Sequence, residues 1–309
     1  MKVVENRKIY YAVSILLIVI GLLFAVVNTV KGEGPFRQDV EFAGGSLIQV
    51  NMERPFTNEL RSELIDITTK TIGKEGARVN SAGETGVIIT MPRTDAATRN
   101  ALFKAIKEKY NLKDEIALED KDVSPTISNE IKVGALKAVV VGVILILLYI
   151  TFRFRDYRMG ASAIAALAHD VLIMLSVYAV FRIPLNNSFI AAILTIIGYS
   201  INDTIVVFDR IRENRVKKGE KEHAPASDTL VNESISQTIA RSIYTSVTTI
   251  VMVVLLYFLG TDSVKQFAFP LIIGVLAGTY SSVFVASPLW YDLTHMIKNT
   301  KAVKKVKKA

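Results

Sequence analysis

Six uncharged, strongly apolar runs dominate the chain: Ile9 to Val30, Ala138 to Phe152, Gly160 to Phe181 broken only by His169 and Asp170, Ile183 to Asn202, Ser242 to Thr261, and Gln266 to Tyr291. A bilayer interior offers no water to an open backbone, so a run of about 20 apolar residues crosses it as a helix. The first span is expected within residues 1–30. The others are expected at about 133–152, 160–181, 188–208, 242–261 and 266–291, together filling residues 133–291. The second reaches full length only by starting near Val133 and letting Lys137 snorkel to the interface. The first run stays apolar too long for a cleaved signal peptide and has no small-residue cleavage site before Lys31, so it reads as a retained anchor.

Charged residues make up 21% of the chain, so their exclusion from the spans crowds them into the connecting segments. Lys2, Arg7 and Lys8 precede the first span, Arg153, Arg155 and Arg158 follow the second, and Arg210, Arg212, Arg215, Lys217, Lys218 and Lys221 follow the fourth. A basic tail, residues 292–309, closes the chain, whereas the short loops on the opposite side hold only Arg182 and Lys265. Cytoplasmic loops carry the excess of Lys and Arg, so both termini are expected in the cytoplasm and residues 31–132 outside it. That segment holds 15 basic and 17 acidic residues, against 22 and 12 elsewhere. The net +8 therefore belongs to the membrane part, where it serves topology and contact with anionic lipid. No aromatic interleaving accompanies it, which argues against nucleic acid. With no cysteine and only His169, His223 and His295, neither thiol chemistry, a metal site nor a cofactor is expected.

Within residues 31–132 the pattern changes to short strands and helices. Ser46 to Met52 alternates as a strand; Thr57 to Ile72 is a helix capped by Thr57 or Asn58; Arg78 to Ser81 and Gly86 to Met91 are strands around a Gly83–Glu84 turn. A helix from Thr94 to Tyr110 and a strand from Glu115 to Val123 complete βαββαβ, a ferredoxin-like α+β domain. It holds no catalytic constellation and reads as a binding or coupling module. The expected fold class is an α-helical polytopic membrane protein with six transmembrane helices and this one external domain.

Polar groups inside the spans carry the functional signal. A charge at the bilayer centre costs roughly 2.5–3.5 kcal/mol even on permissive scales, so Asp170, midway along the third span, requires a partner or a role. Asp203 precedes Asp209 by six residues, about 9 Å inside the fourth span, and Arg241 opens the fifth span at a similar depth. One reading makes Asp203 and Arg241 a static ion pair and Asp170 a clamp between helices. The other makes a buried carboxylate beside a fixed cation a cation relay, with Asp170 a weaker member. Asp209 and Arg210 sit where ordinary interfacial charges belong, Asn202, Ser200 and Tyr199 add hydrogen-bonding groups, and Gly274 and Gly278 have the spacing of close helix packing. Ser227 to Ala240 reads as an amphipathic stretch lying along the membrane.

The run Gly198-Tyr199-Ser200-Ile201-Asn202-Asp203, continuing through Asp209-Arg210 to Glu213, resembles the SecF family of accessory subunits of the bacterial Sec protein-export machinery. Phe42-Ala43-Gly44-Gly45, Ala168-His169-Asp170 and Arg241 to Ser246 are similar to further elements of that family. The resemblance implies a multi-pass protein of the bacterial cell (inner) membrane, partnered by SecD and the SecYEG channel, that uses a proton or sodium gradient to move unfolded polypeptide outward. It also implies the resistance-nodulation-division fold and relay roles for Asp203 and Arg241, whereas Phe42 to Gly45 reads on its own as a glycine-permitted bend into a strand. The alternatives are a small-molecule exporter of that superfamily and an intramembrane aspartyl protease built on the two aspartates; Ser200-Ile201-Asn202 before Asp203 lacks the Gly-x-Gly-Asp setting of the latter.

The orientation is tested with single thiols in this cysteine-free chain. Ser81→Cys is expected to react with a membrane-impermeant maleimide on intact cells, and Lys217→Cys only after the membrane is opened. The reverse pattern inverts the topology.

Overall fold

The computed structural model describes residues 1–83, 85–112, 117–220 and 224–306. Glu84 of the expected turn, Glu115 and Ile116 of the expected last strand, Lys221 and Glu222 beyond the fourth span, and Lys307 and Lys308 of the tail lie outside the described residues. The chain divides into two compact units.

The first comprises Met1–Arg37, Lys137–Ile183 and Ser188–Ala309. Its helices are α1 (Arg7–Val30), the second part of α5 (Pro125–Phe154), α6 (Tyr157–Phe181), α7 (Asn187–Lys217), α8 (Asp228–Leu259), α9 (Asp262–Ser281) and α10 (Ser287–Val306). A π-helical turn, Ser282–Ala286, joins α9 to α10, so six helices among the described residues are long and apolar enough to cross a membrane. Helical hydrogen bonding runs past the apolar spans wherever no breaker intervenes. Between Ser227, whose hydroxyl caps the Leu230 N–H, and Gly260 there is neither Gly nor Pro, so Ser227 to Ala240 is the first part of α8 and not a separate surface helix. The amphipathy has another cause: Leu230, Val231, Ser234 and Ile235 are buried within the bundle. The chain start is held there too, where the Val3 and Val4 N–H groups donate to Asn232 Oδ1 at 2.9 and 3.0 Å and Arg7 pairs with Asp292 at 2.8 Å.

The second unit comprises Gln38–Leu136 and Pro184–Asn187. It holds α2 (Val40–Ala43), β1 (Gly45–Asn51), α3 (Asn58–Ile72), β2 (Arg78–Ala82), β3 (Gly86–Met91), α4 (Ala96–Tyr110) and β4 (Ala117–Val123). The sheet order is β2-β3-β1-β4 with every pairing antiparallel, the ferredoxin-like arrangement. Alternation along β1 sends Ile48 and Val50 inward against Leu60 and Leu64 of α3 and Leu102 and Ile106 of α4. Thr57 and Asp95 cap the two helices, accepting from the N–H groups of Leu60 and Thr98. The expected α4 start at Thr94 moves to Ala96 because Asp95 takes the cap position with extended backbone.

Phe42 to Gly45 ends α2 and turns into β1. Gly45 has φ +133°, and a Cβ there would stand 2.7 Å from the Met91 carbonyl oxygen on the neighbouring strand. Both the backbone angle and the space exclude a side chain. Gly44, at φ +72°, closes α2, while Phe42 is buried and its carbonyl accepts from the Ser128 hydroxyl. Gly45→Ala is expected to destabilise the β1–β3 pairing by about 1–3 kcal/mol. Amide exchange on β1 and β3 of the full-length protein checks this; protection equal to wild type would assign the motif another purpose.

Candidate functional site

The membrane unit brings Asp170 of α6 against α7 and α9 along a seam of small residues. A Cβ on Gly274 would fall 2.4 Å from the Ile196 side chain, and one on Gly278 would fall 2.9 Å from Ser200 Cβ, so α9 lies directly on α7. At this seam Asp170, 1% exposed, accepts at Oδ2 from the Ser200 hydroxyl at 2.6 Å and the Ser281 hydroxyl at 2.9 Å. Its Oδ1 lies 3.0 Å from His169 Nδ1. An ionised Asp170 only accepts, and with it the imidazole would present its Nδ1 proton. The His169 ring stacks on Tyr280, whose hydroxyl donates to the Tyr10 carbonyl of α1. Below this, Thr204 and Ser282 hydroxyls meet at 2.9 Å.

Asp203 lies one turn along α7 from Ser200, about 4.5 Å along the axis, and its surroundings differ. It is 3% exposed, and its Oδ2 is buried with no hydrogen-bond partner. The Thr245 hydroxyl and the charge of Arg241, both on α8, act on it. No ion pair within 4 Å joins Arg241 to a carboxylate among the described residues, and Arg241 is exposed in this chain. Tyr199 reaches the Ser246 hydroxyl of α8, which in turn meets Thr279 of α9, so hydroxyls line this junction as well. Asp170 and Asp203 share no hydrogen bond, and the proton-sharing geometry of an aspartyl protease dyad is not formed by these residues.

The other singled-out positions fall into two groups. Gly198 and Asn202 are exposed on α7, and a Cβ on Gly198 would meet nothing within 4 Å. Asp209 pairs with Arg153 of α5 at 3.1 Å, and Arg210 reaches Glu213 at 2.7 Å and Gln237 of α8 at 2.6 Å. These charges tie helix ends together.

Sequence reasoning missed Ser281 as a donor to Asp170, because it is an ordinary residue of an apolar helix until the fold sets it beside the carboxylate. It also counted Arg158 and Arg215 among the topogenic charges, yet both are buried. Arg158 grips Asp156 through Nε and Nη2 at 2.8 and 2.9 Å, the Trp290 indole donates to the same carboxylate at 3.2 Å, and the Arg215 guanidinium lies 5.1 Å above the Trp290 ring. Burial works against ionisation of Asp156, but the Arg158 side chain, its backbone N–H and the Trp290 indole outweigh it and hold the carboxyl below the usual aspartate range.

A depressed carboxyl pKa contributes stability that is present above its ordinary value and lost only as pH falls through the lower, folded value. Trp290 is the sole tryptophan, so its emission reports on this cluster. It is expected to stay constant from pH 8 to about 4.5 and to change only below about 4. A midpoint near 6 would show that Asp156 is not held ionised.

The comparisons with known proteins agree with one another. The family model described as protein export membrane protein SecD/SecF, C-terminal, matches residues 103–296. The chain is 34% identical to a protein translocase subunit SecF of Sebaldella termitidis over 100% of this chain and 96% of the relative. It is 36% identical to one of Haemophilus influenzae over 94% and 86%. A protein translocase subunit SecDF of Bacillus subtilis matches at 34% identity over 93% of this chain and 37% of its own length. Among solved structures, the crystal structure of SecDF, a translocon-associated membrane protein from Thermus thermophilus, superposes with a TM-score of 0.79 at 33% identity, covering 94% of this chain and 38% of that one.

Proposed function

The chain belongs to the SecD/SecF family of protein-export membrane proteins, and from that premise we propose that it couples a cation gradient to polypeptide translocation through proton exchange at Asp203. It is a multi-pass membrane protein of the SecF kind, and its relatives are protein translocase subunits. In the SecDF relatives the matching segment is part of a longer chain, which supports association with SecD. Engagement of the SecYEG channel and of the translocating polypeptide, the use of a proton or sodium gradient, cytoplasmic termini and an outward-facing α+β domain belong to the same proposal.

The observation that carries the reading is the contrast between the two aspartates. Asp170 has both oxygens met by side chains from three helices, so its hydrogen-bonding capacity is already engaged within the bundle. Asp203 keeps one oxygen without a partner, and its counter-charge, the exposed Arg241, is near enough to act on it without an ion pair within 4 Å. A carboxylate in that state favours a partner that arrives and leaves, which is what a proton or a second subunit supplies. Arg241, Asn202 and Gly198 are exposed in this chain on α7 and α8, the surface that SecD would cover in the assembled pair.

Asp203→Asn keeps the volume and mimics the protonated form. It is expected to retain assembly with SecD and to lose gradient-stimulated export from vesicles. Arg241→Met is expected to be severely impaired and Arg241→Lys partly, since charge survives without the planar fork. Asp170→Asn is expected to be milder, because the surrounding hydroxyls can reverse their donor roles. Wild-type export by Asp203→Asn under an imposed gradient, at equal membrane levels, would refute the relay.

A further inference from the structure

A cleft of about 490 Å³ opens where the last turn of α5 stands beside the basic end of α7, lined by Arg153, Asp209, Arg212, Glu213, Val216 and Lys217. We propose that this cleft binds the headgroup of an anionic phospholipid.

The five α7 residues fall at i, i+3, i+4, i+7 and i+8, so they share one helix face. Their charges divide unequally. Asp209 is neutralised by Arg153 at 3.1 Å and Glu213 by Arg210 at 2.7 Å. Arg212 and Lys217 are exposed at the two edges of that face, about 7.5 Å apart along the helix axis, and pair with no carboxylate among the described residues. Once the acids are paired, the cleft therefore offers two uncommitted cations, one of them a planar donor fork suited to a phosphate. The walls are apolar where a lipid needs them to be. Val216 is 76% exposed beside the cations, and Phe152, 86% exposed, continues into the exposed row Tyr149, Leu148 and Leu145 on α5. A diacyl lipid can thus lay its chains along α5 while its phosphate meets Arg212 and Lys217. Basic pockets between helix ends at the membrane surface recognise anionic headgroups in this way. A free phosphate would use the cations but not the apolar row.

Native mass spectrometry of the delipidated full-length chain, titrated with phosphatidylglycerol or phosphatidylcholine, tests the site independently of export. Wild type is expected to retain phosphatidylglycerol in preference to phosphatidylcholine. Arg212→Gln with Lys217→Gln is expected to weaken that retention roughly 30-fold. Lys2→Gln with Lys8→Gln, removing the same charge elsewhere on the bundle, is expected to leave it unchanged. Trp290 emission verifies that each variant is folded. Should the double variant misfold, Glu213→Gln serves instead, and is expected to tighten retention roughly fivefold. Equal retention of the two lipids, equal losses in the two double variants, or full displacement of phosphatidylglycerol by millimolar inorganic phosphate would each overturn the proposal.

Discussion

The Asp170 carboxylate, buried at the crossing of α6, α7 and α9, sets the terms for the rest of the membrane bundle. In hydrocarbon a charge has no water to fall back on, so each oxygen of the carboxyl group must be met by the protein itself. Ser200, Ser281 and His169 do this, and they can do it only because Gly274 and Gly278 let two backbones approach within side-chain contact. Close packing and polar satisfaction are the same feature seen from two sides. The His169 ring then leans on Tyr280, which fixes α1 through Tyr10, so the arrangement reaches four helices.

Against that saturated centre, the neighbouring aspartate stands out by what it lacks. A static glue would be built with matched partners, as Asp156 and Arg158 are. Asp203 has instead an unmet oxygen and a cation on an adjacent helix that is drawn to it without a bond. The bundle therefore contains both designs one helical turn apart along α7, a fixed one where Ser200 meets Asp170 of α6 and an open one at Asp203.

Much of this organisation is legible in the amino-acid order because its causes are local. Apolar runs declare the helices, Thr57 and Asp95 announce the starts of α3 and α4, and alternation along Ser46 to Met52 gives the inward face of β1. Depth along a span is also local, which is why Asp203 and Arg241 can be singled out from residue counting. What is not legible depends on partners far away in the chain. Arg158 and Arg215 look like surface charges until Asp156 and Trp290 close over them. Pro184–Asn187 looks like a short loop, yet the Leu185 carbonyl accepts from the Asp39 N–H and the Asn187 N–H donates to Glu41, which joins this tetrapeptide to the α+β unit. Serines in an apolar helix say nothing of their direction, and only the fold reveals Ser281 and Ser282 as donors.

The π-helical turn at Ser282–Ala286 has a practical consequence for anyone mapping the last span. An α-helix advances about 100° per residue, whereas a turn closed by i to i+5 hydrogen bonds holds more residues than that spacing allows. A single helical-wheel projection drawn from Asp262 through Met296 would therefore be in phase with Gly274, Gly278 and Ser281 but out of phase beyond Ala286. Ser287, Trp290 and Thr294, all buried, would be assigned to the wrong side. Scanning substitutions along this span are best interpreted on two wheels, one ending and one beginning at the wide turn.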